Sequence, residues 1–271
     1  MTPPFGALAP SPFQERVRAR AARLPDTPVG RRAASLYLRA AGGKSGRAFD
    51  VTIFETERAR LHPYDNISEK RVFITSQFWE AEERAALAAF IAQGAGPFRF
   101  LDVGANAGLY TLFARSAARA AKRPFSAIAV EPASEMLARL RFNLAASGAE
   151  RDVEVFECAA GASEGGGAFR TDERNRGESR LAAEGERKVR IRPLAAVIEE
   201  AGFSSIDAMK IDIEGSEEAA LKGLFAGAGE RFRPRLLIAE LSHSGPLTAL
   251  LGAEGYRETI RTRRNGVYER G

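Results

Sequence analysis

The chain has 271 residues, 45% of them hydrophobic, and a net charge of +5, which suits anionic partners or, more simply, arginine-rich helices in water. A single cysteine excludes an intramolecular disulfide, and two histidines exclude a His-rich zinc site. No apolar run approaches the ~20 residues of a membrane span and no secretory signal is recognised, so a cytoplasmic protein is expected.

The first third of the sequence is irregular. Residues 1–30 are rich in proline, which predicts a loose arm with a short basic helix. A helix is predicted over residues 31–42 and one or two strands over residues 47–64. A further helix is predicted from an N-cap at Ser76 to Gly94. Residues 1–97 are therefore predicted to be an arm and a cap on the acceptor side of a following domain.

From residue 98 to the end the pattern is regular. Apolar strands such as "SAIAVEP" and "PRLLIAEL" alternate with helices, which predicts a doubly wound, mostly parallel α/β sheet. The Gly-rich segment 161–169 is predicted to be a turn or loop. Two strand-like runs surround Asn265-Gly266, a dipeptide typical of hairpin turns, so the sheet is expected to end in an antiparallel hairpin. Residues 98–271 are the predicted ligand-binding domain.

The segment "FLDVGANAGLYTLF" lies at the first transition from strand to helix in this domain. In doubly wound sheets, ligands bind at this point, outside the carboxyl ends of the strands. The dinucleotide fingerprint requires G-x-G-x-x-G, but here the glycines are Gly104 and Gly108 with Asn106 between them, and Leu109 occupies the position of the third glycine. Asp102 adds a negative charge, which suits a cationic ligand such as S-adenosylmethionine better than a pyrophosphate.

The second strand ends in "AVEP", and its Glu131 can accept both hydroxyls of a ribose. Nicotinamide dinucleotide sites share this feature, so it does not discriminate between the two cofactors. Structural alternatives remain open, because Asp102 can serve as a helix cap and Glu131 as a solvated strand end.

Five blocks of the chain together resemble the FkbM-type S-adenosylmethionine-dependent methyltransferases over about residues 98–260: "FLDVGANAGLYTLFA", "AVEPASEMLARLRFNLAASG", "CAAG", "MKIDIEGSEEAALKGL" and "RPRLLIAELS". The resemblance implies a class I methyltransferase, Rossmann-like sheet of seven strands, and commonly O-methylation of sugars or natural products. The cofactor-binding residues that it implies are Asp102, Gly104, Asn106, Gly108, Glu131, Ala159 and Ala160, with the two alanines beside the adenine.

The chain departs from the family pattern at two places. Ser216 stands where a His often follows the K-I-D-x-E-G block, which puts in doubt any acceptor contact of that His. Pro193, Leu194 and Ala195 replace a T-L-D run, a change that we expect to alter only a helix cap.

Methyl transfer needs an aligned acceptor and a group that removes a proton. Strand periodicity places Lys210, Asp212 and Glu214 on one face, and two adjacent carboxylates tend to raise one pKa. Glu240 ends the next strand and His243 follows it. Asp212, Glu214, Glu240 and His243 are therefore the candidate catalytic residues. Lys210 is expected to pair with one of the acids, and a divalent metal is the less favoured use of the same carboxylates.

The stretch "ARLHPYDNISEKRVF" is dense in hydrogen-bonding side chains, which suits a polyhydroxylated acceptor. The candidate acceptor-binding residues are Tyr64, Asp65, Asn66 and Glu69. A solvated turn with Asp65-Asn66 at its tip is an equally good interpretation.

The leading hypothesis is an S-adenosylmethionine-dependent O-methyltransferase that acts on a small molecule or glycan. A nucleic-acid methyltransferase is less favoured, since neither D-P-P-Y nor N-P-P-Y occurs. A non-catalytic domain of the same fold would not need the cofactor residues, and the glycine spacing disfavours a nicotinamide dehydrogenase. The oligomeric state cannot be predicted from the sequence.

Overall fold

A computed structural model describes residues 2–170, 180–182, 187–227, 229–241 and 245–271. The N-terminal extension contains four helices, one hairpin and a 3-10 turn at Ser76–Phe78. In chain order its elements are α1 (Pro12–Ala21), α2 (Pro28–Ala40), β1 (Phe49–Ile53), β2 (Glu57–Leu61), α3 (Ile67–Thr75) and α4 (Ala81–Gln93).

The remaining described residues form two sheets and five helices. The strands are β3 (Phe98–Val103), β4 (Phe125–Val130), β5 (Val153–Phe156), β6 (Ala159–Gly161), β7 (Gly165–Arg170), β8 (Arg180–Ala182), β9 (Arg187–Pro193), β10 (Ala208–Ile211), β11 (Leu236–Glu240), β12 (Tyr256–Arg261) and β13 (Asn265–Arg270). The helices are α5 (Leu109–Ala120), α6 (Ser134–Ser147), α7 (Leu194–Glu200), α8 (Glu217–Gly227) and α9 (Gly245–Ala253).

The central sheet has seven strands in the order β12-β13-β11-β10-β3-β4-β5. Its strands β11, β10, β3, β4 and β5 are parallel, and β13 pairs antiparallel with both β11 and β12. The order reverses at β3, so helices cover both faces and the ends of β3 and β10 lie at the switch point. The predicted doubly wound sheet with a C-terminal antiparallel hairpin is confirmed.

Apolar side chains on both faces of the strands account for this sheet. Phe98 and Phe100 belong to one core cluster, while Leu101 and Val103 of the same strand belong to the other. Trp79 of the extension is buried in the first cluster, so the extension packs against the sheet and shares its core. The division of the chain at residue 97 stays a prediction. In the part of the chain that the structure describes, no helix has the length and apolarity to cross a membrane.

Two local predictions were wrong about turns. Ser76 begins the 3-10 turn instead of capping α4, and Glu80, with a left-handed φ of 41°, immediately precedes that helix. Asn265-Gly266 opens β13, and the hairpin turns at residues 262–264. The Asn265 amide donates to Glu83 at 2.9 Å, so a contact distant in sequence draws this dipeptide into the strand.

Two other predictions missed regular structure. The Gly-rich segment 161–169 contains most of β7, which pairs with β9 instead of forming only a loop. The stretch assigned to acceptor binding contains helix α3, whose N-cap is Asn66. Four consecutive residues, 72–75, are buried in that helix, which removes the periodic signal that identifies an amphipathic helix.

Candidate active site

A cleft opens where β3, β10 and β11 end, between these strand ends, helix α3 and the C-terminal hairpin. We call it the inner cleft, and its lining residues are Asn66, Ile67, Ser68, Arg71, Trp79, Glu80, Asp102, Gly104, Ala105, Asn106, Leu109, Tyr110, Lys210, Asp212, Glu214, Glu240, Arg264 and Asn265. Five of these residues are acidic and three are basic. An excess of carboxylates favours a cationic ligand over a phosphate-bearing one.

The loop after β3 requires its glycines for packing. Gly104 has a φ of 78°, and a Cβ there would lie 2.0 Å from the carbonyl oxygen of Asp212. Gly108 has a φ of 82°, and a Cβ there would lie 2.5 Å from Leu140. Glycine at these positions could have allowed a ligand to approach the backbone closely. In the structure it is protein atoms that lie against the two glycines, and those of Asp212 fix the loop against the end of β10.

Asp102 both lines the inner cleft and caps helix α5. Its Oδ2 accepts hydrogen bonds from the Thr111 backbone N–H at 2.9 Å and the Thr111 hydroxyl at 2.6 Å. Burial raises the pKa of Asp102 to about 6, although the bonds to Thr111 oppose this shift. Asp102 therefore has the helix-capping role that the sequence left open as an alternative, and it also faces the inner cleft.

Glu131 is buried, with 6% of its surface exposed, so it is not a solvated strand end. Its two carboxylate oxygens accept backbone N–H groups of Asn106 and Ala133, each at 2.8 Å. Burial raises the pKa of Glu131 to about 7 against these bonds. Glu131 thus ties the loop after β3 to the end of β4.

The two alanines predicted beside the adenine, Ala159 and Ala160, are buried on β6. This strand pairs with β9 in the small second sheet. The preceding Cys158 is buried, and burial raises the pKa of its thiol to about 11. Such a thiol is a poor nucleophile at neutral pH.

The acids predicted to be catalytic meet at one point. Single carboxylate oxygens of Asp212, Glu214 and Glu240 lie within 4.8 Å of one another. The Lys210 ammonium, 3.0 Å from Asp212 Oδ2, is buried and lies 5.3 Å from the centre of the Tyr110 ring. The expected pairing of Lys210 with one of these acids is therefore present.

Charges around Asp212 fix its ionisation. Burial acts to raise the pKa of Asp212, but the positive charges of Lys210 and Arg264 and the hydrogen bonds to Lys210 and Glu240 together outweigh it, and the pKa is lowered. Asp212 also forms a hydrogen bond with the Glu240 carboxyl, which acts to lower the pKa of Asp212 as well. His243, the fourth candidate, lies outside the described residues.

A metal ion is the less favoured use of the same carboxylates. The Lys210 ammonium already places a positive charge against Asp212, at the position where a cation would need that carboxylate. Asp212, Glu214 and Glu240 lie close enough to share an ion, but acid clusters of this kind are common without one.

Most of the residues predicted to bind the acceptor have structural partners. Asp65 and Glu69 both accept hydrogen bonds from Arg139, at 2.8 to 3.0 Å, and Glu69 is completely buried. Tyr64 is 42% exposed. Asn66 lines the inner cleft and donates to the Asn106 side chain at 2.8 Å, which joins the extension to the loop after β3.

Sequence reasoning missed the residues that the extension and the hairpin contribute. Glu80 accepts the Tyr110 hydroxyl at 2.5 Å, and burial raises the pKa of its carboxyl. Arg71, Arg264 and Asn265 also line the inner cleft. Arg71 lies within the dense polar stretch "ARLHPYDNISEKRVF", but no local signal separated it from its neighbours.

The strand order, with its switch point beside the acidic inner cleft, is that of the class I methyltransferase, Rossmann-like fold. The model of the methyltransferase FkbM domain matches residues 102–257, more than half of the chain. The chain therefore belongs to the FkbM methyltransferase family, and the resemblance noted in the sequence is confirmed.

Similarity to one solved structure of the family supports the fold. Methyltransferase FkbM from Methylobacillus flagellatus KT is 17% identical with a TM-score of 0.50, and the match covers 94% of this chain but 58% of that one. Precorrin-6y C5,15-methyltransferase from Geobacter metallireducens GS-15 is 13% identical with a TM-score of 0.44, over 70% of this chain and 88% of that one. No curated protein matches the sequence.

Proposed function

We propose that this protein transfers a methyl group from S-adenosylmethionine to a hydroxyl of a sugar, glycan or natural-product small molecule. The observation that supports this most strongly is the excess of carboxylates in the inner cleft, at the switch point of a methyltransferase fold. A sulfonium and an ammonium are attracted to such a lining, whereas the phosphates of a nicotinamide dinucleotide are repelled. The free, buried thiol of Cys158 is consistent with action in a reducing cytoplasm.

The cofactor is proposed to be held by the predicted set around the loop after β3. Glu131 would accept the ribose hydroxyls, and Ala159 and Ala160 would lie beside the adenine. Asp102 and Asn106 would face the amino-acid part, with Gly104 and Gly108 keeping the loop in its left-handed turns. Two of these carboxyls have raised pKa values in the free protein, so a cationic ligand would favour their ionised form.

S-adenosylmethionine supplies a methyl group already activated by the adjacent sulfonium. The protein has to align the acceptor and take up its proton, and alignment alone can supply ~7–11 kcal/mol of the barrier. The acceptor oxygen bonds to the methyl carbon as the carbon–sulfur bond breaks, and the hydroxyl proton passes to the Asp212 and Glu240 pair. Glu214 is placed to hold the acceptor, and His243 is the alternative base.

Lys210 has a positioning role in this scheme. Its buried ammonium fixes the Asp212 carboxylate and keeps it ionised near neutral pH. A carboxylate that remains ionised is ready to accept a hydrogen bond from the acceptor hydroxyl at the start of each turnover.

Titration calorimetry tests the proposed cofactor. S-adenosylmethionine and its demethylated product should bind with micromolar affinity, and NAD should give no heat of binding. Binding of NAD without binding of S-adenosylmethionine would contradict the proposal. A screen of hydroxylated acceptors with methyl-labelled cofactor then identifies the acceptor class.

A further inference from the structure

A second cavity adjoins the inner cleft. This outer cavity has a volume of about 620 Å³, large enough for a small-molecule acceptor. Its walls come from α2, α3, the start of α4 and the hairpin turn, and it shares Arg71, Glu80, Arg264 and Asn265 with the inner cleft. A molecule in the outer cavity would therefore reach the proposed proton acceptors.

Four arginines line the outer cavity: Arg31, Arg71, Arg263 and Arg264. The Arg31 guanidinium is neutralised by Asp26, with contacts of 2.6 and 3.1 Å. Among the acids of the cavity, Glu83 is bonded to Thr262 and Asn265. Glu80 accepts the Tyr110 hydroxyl. Glu83 and Glu80 are thus engaged in holding the walls together, whereas Glu82, which also lines the cavity, is exposed.

Arg71 differs from these groups. Within the described residues it makes no hydrogen bond and no ion pair, and it is exposed to the cavity. Loss of solvation and then the positive charges of Arg264 and Arg31 lower the pKa of Arg71, while Glu80 opposes this. Arg71 itself has no bonded counter-ion in the part of the chain that the structure describes, and an anion beside it would offset the repulsion from the charge of Arg264.

We propose that Arg71 and Arg264 bind an anionic group, a phosphate or a carboxylate, of the acceptor. Arginine presents a planar fork of donors that matches both groups. The charge of Arg264 also acts on Asp212, so the anionic group would lie close to the hydroxyl that is methylated. The proposal rests on the proposed function, since it concerns the acceptor of the same reaction.

Inorganic phosphate and acetate are the probes that test this subsite in the full-length protein. Calorimetry should detect phosphate or acetate binding to the unsubstituted protein, and Arg71→Gln should weaken it by ~10-fold or more. Arg71→Lys should restore part of the affinity. Arg31→Gln is the matched control, because Arg31 lines the same cavity but is already paired with Asp26, and it should change affinity less than twofold.

A parallel titration with S-adenosylmethionine separates the possible failures. Its affinity should be the same in Arg71→Gln as in the unsubstituted protein. A loss of cofactor affinity in Arg71→Gln would overturn the proposal, because Arg71 would then hold the carboxylate of the cofactor. Equal phosphate binding in Arg71→Gln and Arg31→Gln would overturn it as well. Failure of the unsubstituted protein to bind S-adenosylmethionine would instead reject the proposed function.

Discussion

The central sheet has an amino edge, where its parallel strands begin, and a carboxyl edge, where they end. Charged side chains have different partners at these two edges. At the amino edge, Asp207 accepts the Arg99 backbone N–H at 2.8 Å. Arg123, near the start of β4, donates to four backbone carbonyls, those of Ile91, Ala95, Gly96 and Pro97. These charges each stabilise a loop through backbone partners.

At the carboxyl edge, charged groups face one another across a cleft. Lys210, Asp212 and Glu240 are in contact, and Asp102 and Glu131 have raised pKa values. Non-glycine residues there also adopt left-handed backbone angles, with φ of 52° at both Asn106 and Glu214. Shifted pKa values gather where proteins bind and react, so this is the edge that we propose to be functional.

The largest expected effect separates two aspartates at opposite ends of β10. Asp212→Asn keeps the side-chain shape and removes the charge, and it should lower turnover by ~10²-fold or more, the scale of a lost general base. Asp207→Asn should leave turnover unchanged. Glu240→Gln should resemble Asp212→Asn, since the Glu240 carboxyl is hydrogen-bonded to Asp212. Unchanged turnover in Asp212→Asn would move the proton acceptor to Glu214 or His243.

The second comparison uses two glycines with similar backbone angles. Gly104→Ala places a methyl group 2.0 Å from the Asp212 carbonyl oxygen, whereas at Gly96, with a φ of 71°, a Cβ meets nothing within 4 Å. Gly96→Ala should lose about 1 kcal/mol of unfolding free energy from backbone strain, and Gly104→Ala should lose about 2 kcal/mol or more. Denaturant unfolding measures both. Equal losses would show that the loop shifts to admit the methyl group.

The third comparison concerns Lys210. Its charge lowers the pKa of Asp212, so Lys210→Met should raise that pKa and move the acidic limb of the rate profile to higher pH. Lys222→Met removes an exposed lysine paired with Glu218 and should leave the profile in place. An unmoved acidic limb in Lys210→Met would mean that Asp212 does not set it.

The smallest expected effect is a pH dependence of cofactor affinity. The pKa values of Asp102 and Glu131 are raised to about 6 and about 7, so protons compete with a cationic ligand below neutrality. The free protein holds these protons more tightly than the unfolded chain, so its stability should fall as pH rises from about 4 to about 7. Over the upper part of that range, S-adenosylmethionine affinity should rise by ~10-fold and then level off. An affinity independent of pH would exclude both carboxyls from the cofactor site.

The sequence predicted the sheet well because its strands carry apolar residues on both faces, as Phe100 and Leu101 do in β3. Strand ends then followed from the pattern, and the rule for doubly wound sheets placed Asp102, Glu131 and Asp212 at one edge. Helix α3 was missed because its buried residues are consecutive instead of periodic.

The rest of the site depends on contacts between residues far apart in the chain. Asn265 joins β13 because Glu83, 182 positions earlier, accepts its side-chain amide. Glu80 reaches the cleft through the packing of the extension, in a left-handed conformation that its sequence does not indicate. The proposed role of Arg71 in binding an anionic group depends on Arg264, which lies on the other wall of the outer cavity. No local pattern contains this information.

The most direct test of the account is S-adenosylmethionine binding by two variants that remove one charge from opposite edges of the sheet. Glu131→Gln acts at the carboxyl edge, and Asp152→Asn removes a carboxylate that pairs with Arg115 just before β5. The account predicts that Glu131→Gln weakens the calorimetric affinity by ~10-fold or more, as expected for a charge-assisted hydrogen bond, while Asp152→Asn binds normally. Normal binding by Glu131→Gln, in a protein that remains folded, would contradict it.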